Sequence, residues 1–473
     1  MATKERMIDY LQSRIEGIGF RDLYDFVVNK DVCIFCATCA SLCPRIGLEE
    51  KEPKLMEYDP TCSMCFRYCA RTYFPEDEVE KEFFGDKTRE NFLLGYYQKA
   101  TTAKSTNEAV LKVAQNGGVV STLLIHALQT GLIDGALVTG NAGNWVPKPY
   151  VARTPEEILA AAGSRYTMAP SMLPYSEAIY EYELEKLAFV GMPCQIQAAR
   201  KLQLWPPLSD QLGKITLIIG LFCSSNFTMD LLKKTVYQEL GVSLNDVKKF
   251  DISKGKFFIY LNDGSVKDLP IKETKVHNWA SCQYCKDYAA EFADISVGSV
   301  GAPSDDWNTV FVRSEVGTKL WDSAVAAGKI TVADTIELER VEKEALRKKS
   351  QLAKMDEKVY SAIQRLNVSD VAAKTYATLV SLGYANLSML SKVMKIEEAE
   401  VKDALNALQE RDWILKINGA YRPVNPTQVV KSEINKFEEG IKKVKSDALI
   451  DLENLYVQNN LRHVRYKEFM DLI

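Results

Sequence analysis

The sequence predicts an α/β core with an N-terminal cysteine-rich domain and a C-terminal winged-helix-like domain. Three observations predict this fold class. Cysteines cluster near the N-terminus, residues from about 100 to 350 alternate helix-period segments with short β-branched runs, and residues 370–425 have the pattern of three helices followed by a hairpin. We therefore expect four parts, namely residues 1–85, 86–350, 360–428 and a helical tail over 429–473.

The composition is that of an ordinary soluble protein, with 47% hydrophobic and 26% charged residues and a formal net charge of −4. This charge creates no large field for attracting nucleic acid or an anionic membrane surface. The longest apolar runs, such as Ile215 to Phe222, are about eight residues long, whereas a bilayer requires roughly 20. The polar N-terminus also lacks the apolar core of a signal peptide. We expect a cytoplasmic protein with no transmembrane segment and no nucleic-acid partner.

The eleven cysteines are unevenly distributed, with seven of them between Cys33 and Cys69. In a reducing cytosol, clustered thiols are more often metal ligands than disulfide partners, and an odd total fits disulfides poorly. The segment from about 31 to 80 has several prolines and no long apolar run, as expected of a small fold held together by metal. Apolar residues at helical spacing within residues 1–17 precede it.

The first cysteine run, Cys33-x2-Cys36-x2-Cys39-x3-Cys43-Pro44, matches the bacterial ferredoxin pattern. In that pattern three thiolates hold one cubane and the fourth reaches a second cluster. A zinc site is the alternative, but zinc sites usually pair two CxxC units. The run therefore predicts a ferredoxin-like iron-sulfur domain over residues 1–85.

The second run, Cys62-x2-Cys65-x3-Cys69, departs from this pattern because Tyr68 occupies the position of the third ligand and Ala70 follows Cys69 where proline is usual. If Cys69 crosses over, the first cluster is held by Cys33, Cys36, Cys39 and Cys69. The remaining Cys43, Cys62 and Cys65 then have no obvious fourth ligand. Four alternatives stay open for this site: a three-iron cluster, a cluster with another type of residue as its fourth ligand, a cubane completed by a distant cysteine, or an empty site.

Four later cysteines complete the total: Cys194, Cys223, Cys282 and Cys285. Four is the number that one cubane requires. The alternative is that Cys194 and Cys223, each of which follows an apolar run, are small buried residues. The CxxC spacing of Cys282 and Cys285 favours a cluster.

The core pattern is typical of an α/β sheet. We expect a helix near 119–130 and strands over 136–140, 187–191 and 215–222. The turn sequence Asn262-Asp263-Gly264 predicts a β-hairpin, and with it a smaller β-rich lobe. A charged connector rich in lysine and glutamate is expected near 335–360.

The C-terminal part is expected to form helices over 370–382, 387–394 and 396–410 and a wing around Asn418-Gly419. DNA binding by such a domain needs lysine and arginine side chains at the phosphates. The third helix instead carries more acidic than basic residues, so docking to a protein partner is the preferred role.

From about residue 105 to 335 the sequence resembles the coenzyme F420 hydrogenase/dehydrogenase beta-subunit family. The matching segments, in the family's order, are NGGVVSTLLIHALQTGLIDGALV, AAGSRY, LAFVGMPCQIQAARK, IGLFC and WASCQYCKDYAAEFADISVGSVG. The resemblance implies an oxidoreductase that exchanges a hydride between its substrate coenzyme F420 and FAD, and relays single electrons through two or three [4Fe-4S] clusters. The implied partner is a redox subunit of a hetero-oligomeric complex: a hydrogenase, formate dehydrogenase, heterodisulfide reductase or respiratory complex of archaeal-type energy metabolism. A flavin is needed in between because a deazaflavin carries hydride whereas clusters carry single electrons.

The resemblance also implies where cofactors bind. A glycine pair before a helix allows backbone N–H groups to approach the FAD phosphates, although a plain loop-to-helix turn is the alternative. No GxGxxG follows a strand, so FAD is not expected to be held by the usual dinucleotide-binding motif. The candidate cofactor-binding residues are Gly117, Gly118, Ser121, Ser164, Arg165, Tyr166, Pro193 and Gln195.

Other residue types offer less. Basic candidates for the acidic tail of coenzyme F420 are Lys148, Arg153, Lys254 and Lys256. His126 lies within an apolar helix and is expected to be a core residue, and we assign no catalytic residue.

Two rival functions stay open. The first is a reductase on the same scaffold that acts on sulfite or a chlorophyll-type substrate, or serves as a glutamate synthase component. The second is an iron-sulfur redox-sensing DNA-binding regulator, which the acidic third helix of the C-terminal part disfavours.

Overall fold

The computed structural model describes residues 18–57, 62–85, 91–204, 213–458 and 470–471. The chain divides into two compact units, Met1–Leu352 and Ala353–Ile473. The first unit contains both the cysteine-rich segment and the α/β core. The helical pattern predicted within residues 1–17 lies outside the described residues.

The cysteine-rich segment consists of short elements. They are helices α1 (Phe20–Leu23), α2 (Thr38–Leu42), α3 (Met64–Tyr68) and α4 (Glu76–Phe84) and the antiparallel strands β1 (Ile46–Glu49) and β2 (Glu52–Leu55). The buried residues Leu23, Val27, Ile46 and Cys65 form a small core against which several other cysteines pack. So small an apolar core agrees with a segment that metal ligation holds together.

The remainder of the first unit is built on two sheets. In chain order the strands are β3 (Lys99–Ser105), β4 (Gly135–Asn141), β5 (Pro147–Ala152), β6 (Leu187–Gly191), β7 (Ile215–Leu221), β8 (Val247–Ser253), β9 (Lys256–Leu261), β10 (Val266–Pro270), β11 (Ile295–Gly298), β12 (Asn308–Val312) and β13 (Ile330–Ala333). The helices are α5 (Glu108–Val113), α6 (Val119–Gln129), α7 (Pro155–Ala160), α8 (Pro193–Leu204), α9 (Ile271–Thr274), α10 (Glu315–Ala326) and α11 (Leu338–Leu352). The predicted helix near 119–130 and the three predicted core strands are confirmed.

The main sheet has the order β13-β3-β12-β11-β7-β6-β4-β5. Its centre is parallel, because β4 pairs with β6, β6 with β7 and β7 with β11 in that sense. Side chains alternate between two buried faces, as the period of a strand requires. Leu137, Phe189 and Ile218 pack with α8 and the cysteine-rich segment on one face, and their neighbours pack with α6 and α10 on the other.

The smaller sheet has the order β10-β9-β8 and encloses the aromatic side chains of Phe227, Phe250 and Phe257. The predicted hairpin is confirmed, since β9 and β10 are antiparallel and joined through Gly264 at φ +88°. The expected β-rich lobe is therefore present.

The connector expected near 335–360 is largely helical, because α11 and α12 (Glu357–Gln364) occupy most of it. Its charge pattern conceals an amphipathic helix in which Val341 and Ala345 are fully buried. The second unit continues with α13 (Asp370–Leu382), α14 (Leu387–Met394), α15 (Glu398–Glu410), the hairpin β14 (Ile414–Ile417) and β15 (Ala420–Pro423), and the long helix α16 (Pro426–Val444). The predicted winged-helix-like order of elements is confirmed.

Candidate cysteine centres and cofactor site

The four late cysteines line one pocket in the core. Cys194 follows β6 and Cys223 follows β7, and because these strands are parallel neighbours their carboxyl ends bring the two thiols to the same edge. Cys282 and Cys285 reach this edge from the helical turn Ala280–Tyr284. The structure thus assembles the four cysteines that the sequence grouped by number.

These thiols lie in a water-poor environment. Burial raises the pKa of Cys223 to about 12, although the nearby Lys348 opposes the shift. Burial also raises the pKa of Cys194 well above its ordinary value. Such thiols stay protonated unless a metal takes the place of their protons.

The seven early cysteines fall into two groups. Cys39 interacts electrostatically with Cys36, Cys69 and Cys33, so Cys69 joins the first three cysteines of the ferredoxin-like run. Cys65 interacts with Cys62 and Cys43. This is the grouping expected if Cys69 crosses over. Cys65 also neighbours Cys69 and Cys39, so the two groups adjoin.

Among the described residues, no three His, Cys, Asp or Glu side chains converge closely enough to hold a single metal ion. A cubane makes a different demand, because each of its irons takes one thiolate and the ligands surround the cluster. Whether the cysteine pocket and the early cysteines suit a cubane is therefore judged from the buried charges around them.

Three cations lie beside the cysteines, and within the part of the chain that the structure describes none of them is hydrogen-bonded to a carboxylate. Lys348 is 5% exposed, and its ammonium donates to the carbonyl of Cys223 at 2.6 Å. Lys201 is 4% exposed, and its ammonium donates to the carbonyl of Cys69 at 2.7 Å. The Nε and Nη2 atoms of Arg71 are buried and have no hydrogen-bond partner among the described residues. Buried charge requires a counter-charge, so anionic thiolate-bound clusters fit these surroundings.

The cysteine-rich segment is fastened to the core near both cysteine sets. The indole Nε1 of Trp279 donates to the carbonyl of Cys33 at 2.8 Å, and the Trp279 ring packs on Phe35 with centroids 5.6 Å apart. The amide of Met172 donates to the carbonyl of Cys36 at 2.9 Å. Since Trp279 lies three residues before Cys282, the two cysteine sets are close neighbours.

The glycine pair forms a tight turn at the start of α6. Gly118 has φ +71° and precedes the helix. A Cβ on Gly117 would stand 2.8 Å from the carbonyl oxygen of Ala103, so only glycine fits this turn. Ser121 follows on the first turn of α6 and is half-buried. Packing alone is sufficient to explain the two glycines as a loop-to-helix turn, and phosphate binding stays a prediction.

Gln115, which the sequence analysis did not single out, joins the two candidate flavin segments. Its Oε1 accepts from the amide of Ser164 at 3.2 Å, and its Nε2 donates to Asp251 at 3.0 Å. Lys249 donates to the Gln115 carbonyl at 2.9 Å. The glycine turn, the segment 163–166 and β8 consequently meet around one amide side chain. A lone glutamine before a glycine pair gives no local signal of this role.

Arg165 points into this region. Its Nε atom is buried without a hydrogen-bond partner among the described residues, and its guanidinium lies 5.3 Å from the centroid of the Trp145 ring. Burial lowers the pKa of Arg165. The neighbouring Tyr166 hydroxyl lies 3.5 Å from Asp251 Oδ1. The side chain can therefore bind an anion at little further desolvation cost.

The other sequence candidates lie elsewhere. Pro193 lines the four-cysteine pocket. Gln195 is buried, and its amide accepts from Met192 N at 3.2 Å and donates to Ala169 O at 3.0 Å. Both halves of the Gln195 amide are therefore engaged within the chain.

The predicted basic residues are dispersed on the surface. Arg153 stacks on the Tyr182 ring at 3.9 Å and Lys256 pairs with Asp268 at 2.8 Å, while Lys148 and Lys254 are exposed. His126 is buried and hydrogen-bonds Ser323 at 2.8 Å, as expected of a core residue.

Comparison with known proteins agrees with this architecture. Two models of the coenzyme F420 hydrogenase/dehydrogenase beta subunit match the chain, the N-terminal one over residues 100–174 and the C-terminal one over residues 184–337. The coenzyme F420 hydrogenase subunit beta of Methanosarcina barkeri is 44% identical over 237 residues, covering 50% of this chain and 81% of that protein. The chain belongs to this family.

Members of the family differ in the share of their length that this chain covers. The coenzyme F420-dependent sulfite reductase of Methanocaldococcus jannaschii is 35% identical over 335 residues, 67% of this chain and 49% of that protein. A chain of the F420-reducing [NiFe] hydrogenase complex from Methanosarcina barkeri is similar in structure, with a TM-score of 0.54 and 39% identity over 58% of this chain and 95% of that one.

Two further findings concern the rest of the chain. The model of the sugar-specific transcriptional regulator TrmB matches residues 363–429, the winged-helix-like part. Of the helices that the structure describes, none combines the length and apolar character needed to span a membrane.

Proposed function

We propose that this family member is a cytoplasmic electron-transfer subunit that exchanges a hydride between coenzyme F420 and FAD and relays single electrons through [4Fe-4S] clusters to a partner subunit. The observation that carries the proposal is the juxtaposition of the four-cysteine pocket with the two early cysteine groups. A chain that only transferred hydride would have no use for such a series of thiols.

FAD supplies the conversion between two-electron and one-electron chemistry when bound. The turn at Gly117 and Gly118 lies at the positive end of α6, which suits a pyrophosphate, although the Val119 amide donates to Asn308 Oδ1 at 3.3 Å. The Nε of Arg165, which has no partner among the described residues, offers a donor to a second anionic or carbonyl group, while both terminal nitrogens donate to the Ala162 carbonyl at 3.4 Å. Gln115 holds these two segments in register.

The cysteines supply the exit route. Cys194, Cys223, Cys282 and Cys285 would hold a cluster in the core, and Cys33, Cys36, Cys39 and Cys69 a second one in a ferredoxin-like segment. Cys43, Cys62 and Cys65 form the second early group, and the alternatives for it are a three-iron cluster, a cluster with a fourth ligand from elsewhere, or an empty site. Trp279 connects the first two sites through one hydrogen bond.

The partner is a redox subunit of a hetero-oligomeric complex, such as a hydrogenase, a formate dehydrogenase, a heterodisulfide reductase or a respiratory complex. The hydrogenase membership of the similar M. barkeri proteins supports this class. No nucleic-acid partner is proposed, because the exposed positions of α15 include Glu398, Glu400 and Glu410 and repel phosphate.

The test is anaerobic purification followed by flavin and iron analysis and by oxidation of reduced coenzyme F420 with an artificial one-electron acceptor. We expect about one FAD and eight or more irons per chain, from at least two cubanes, with oxidation of the reduced deazaflavin and no reaction with NADH. Absence of flavin, or an inert deazaflavin, would overturn the proposal.

A second candidate is a reductase that acts directly on sulfite. The M. jannaschii sulfite reductase is the relative that suggests it, and its alignment extends beyond the part that the family models match, but this chain covers 49% of that protein. Oxidation of reduced coenzyme F420 that depends on sulfite, without any added acceptor, would establish this candidate. Oxidation only with the artificial acceptor would exclude it.

A further inference from the structure

We propose that three buried cations set the reduction potentials of the cysteine-held clusters: Lys348 acts on the core site, Lys201 on the ferredoxin-like site, and Arg71 on both. The inference rests on the proposed function, since it requires clusters at these cysteines. It gives a role to three buried cations that are not themselves cluster ligands.

Lys348 belongs to the core site. It lies on α11 and lines the same pocket as the four late cysteines. Its ammonium is hydrogen-bonded to the Cys223 carbonyl, whereas the adjacent Lys349 pairs with Glu291 at 2.7 Å. Asp287, two residues after Cys285, also attracts the Lys348 charge, but no ion pair is formed between them within the described residues. The Lys348 charge is therefore directed mainly at the cysteine pocket.

Lys201 holds the equivalent place at the ferredoxin-like site. It lies on α8, the helix that starts beside Cys194, but its ammonium extends to the Cys69 carbonyl at 2.7 Å and to Thr72 Oγ1 at 3.4 Å. Each site thus has one buried lysine bound to the main chain of one of its cysteines.

Arg71 stands between the sites. Its main-chain amide donates to Cys69 Sγ at 3.4 Å, and its side chain lines the core pocket. The guanidinium interacts electrostatically with Cys33 on one side and with Cys194 and Cys282 on the other. Nε and Nη2 are unpartnered among the described residues, and Arg71 lies beside both cysteine sets.

The physical consequence concerns reduction. Each electron adds one negative charge to a site of low dielectric constant, where a fixed cation is only weakly screened. A buried cation therefore stabilises the reduced form and raises the reduction potential, as charge and hydrogen bonding around a cluster do generally. One cation shared by two clusters changes both potentials in the same direction, so it does not create a barrier between them.

The experiment is a redox titration of the holoprotein, monitored by EPR and visible absorbance, on variants that remove one charge each. The variants Cys282→Ala and Cys36→Ala identify which transition belongs to the core site and which to the ferredoxin-like site. We expect K348Q to lower only the core potential, K201Q to lower only the ferredoxin-like potential, and R71Q to lower both. Each shift should correspond to at least a tenfold smaller equilibrium constant for one-electron reduction, about 59 mV.

Two controls separate charge from structure. R71K keeps the charge and should restore both potentials. Arg347 lies one residue before Lys348 but is exposed and paired with Glu344, so R347Q should leave both potentials unchanged.

Iron analysis of the unaltered protein precedes the titrations. A protein without iron would overturn both the proposed clusters and this inference. Bound clusters whose potentials do not respond to K348Q, K201Q or R71Q, or respond equally to R347Q, would overturn this inference alone.

Discussion

The buried ion pair between Arg200 and Asp294 should be indispensable to the core that holds the cysteine pocket. Arg200 Nη2 lies 2.8 Å from Asp294 Oδ1, and the two side chains are 1% and 3% exposed. Arg200 also donates to the Phe292 carbonyl at 2.8 Å, while Asp294 accepts from the Ile218 amide at 2.7 Å. The pair therefore ties α8 to β7 and to the segment that leads into β11.

The substitution R200M keeps the volume of the side chain approximately but leaves the Asp294 carboxylate buried without a counter-charge. Breaking one side of such a pair costs about 3–5 kcal/mol in free energy of unfolding. An exposed pair is worth about 0–1 kcal/mol, so K104M, which breaks the surface pair between Lys104 and Asp306, is the matched control.

The measurement is urea denaturation followed by circular dichroism, with the free energy of unfolding compared among the variants. The double variant R200M/D294N should be more stable than R200M, because asparagine removes the uncompensated charge. The reasoning would be refuted if R200M cost no more than K104M, or if the double variant were less stable than R200M.

Three further predictions concern the cofactor site and the cysteines. G117A should lower both the thermal midpoint and the amount of bound flavin, because a Cβ at this position stands 2.8 Å from a carbonyl oxygen. The control G440A meets no atom within 4 Å and should be neutral or slightly stabilising. Differential scanning fluorimetry and flavin absorbance measure the two quantities, and equal effects of the two variants would contradict the packing argument. C282A should reduce the iron content by about four per chain while the ferredoxin-like transitions persist, and unchanged iron would remove Cys282 from the ligands. W279F should lower the free energy of unfolding by about 1 kcal/mol, because the hydrogen bond to the Cys33 carbonyl is lost. It should also slow electron transfer between the cysteine sites in rapid-reaction absorbance measurements. An unaltered rate would exclude Trp279 from the electron-transfer route.

Local patterns were sufficient for much of the fold. The strand over residues 187–191 and the helix over 370–382 were predicted with the bounds that the structure has, because β-branched runs and helical periodicity act over a few residues. The turn at Gly264 followed from its own three-residue signature. The connector was the exception, since its many charges obscured the buried stripe of α11.

The sequence indicated the cysteines of the candidate site by their spacing, and the glycine pair and Arg165 by the family resemblance. The spacing of the cysteines is a property of the sequence, and it indicated both the ferredoxin-like run and the set of four. Gln115, Arg71 and Lys348 were missed because each is an ordinary polar residue whose importance depends on segments far away in the chain. Lys348, for example, meets Cys223 across 125 residues.

The sequence by itself determined the family and the proposed type of chemistry, because thiol spacing and family motifs are encoded locally. Only the tertiary structure decided which thiols stand together and which cations face them. Parallel pairing of β6 and β7 brings Cys194 beside Cys223, and the packing of α8 and α11 buries Lys201 and Lys348 against cysteine carbonyls. Burial is a collective property of the packed core, and it is burial that converts these ordinary side chains into charges able to act on a neighbouring site.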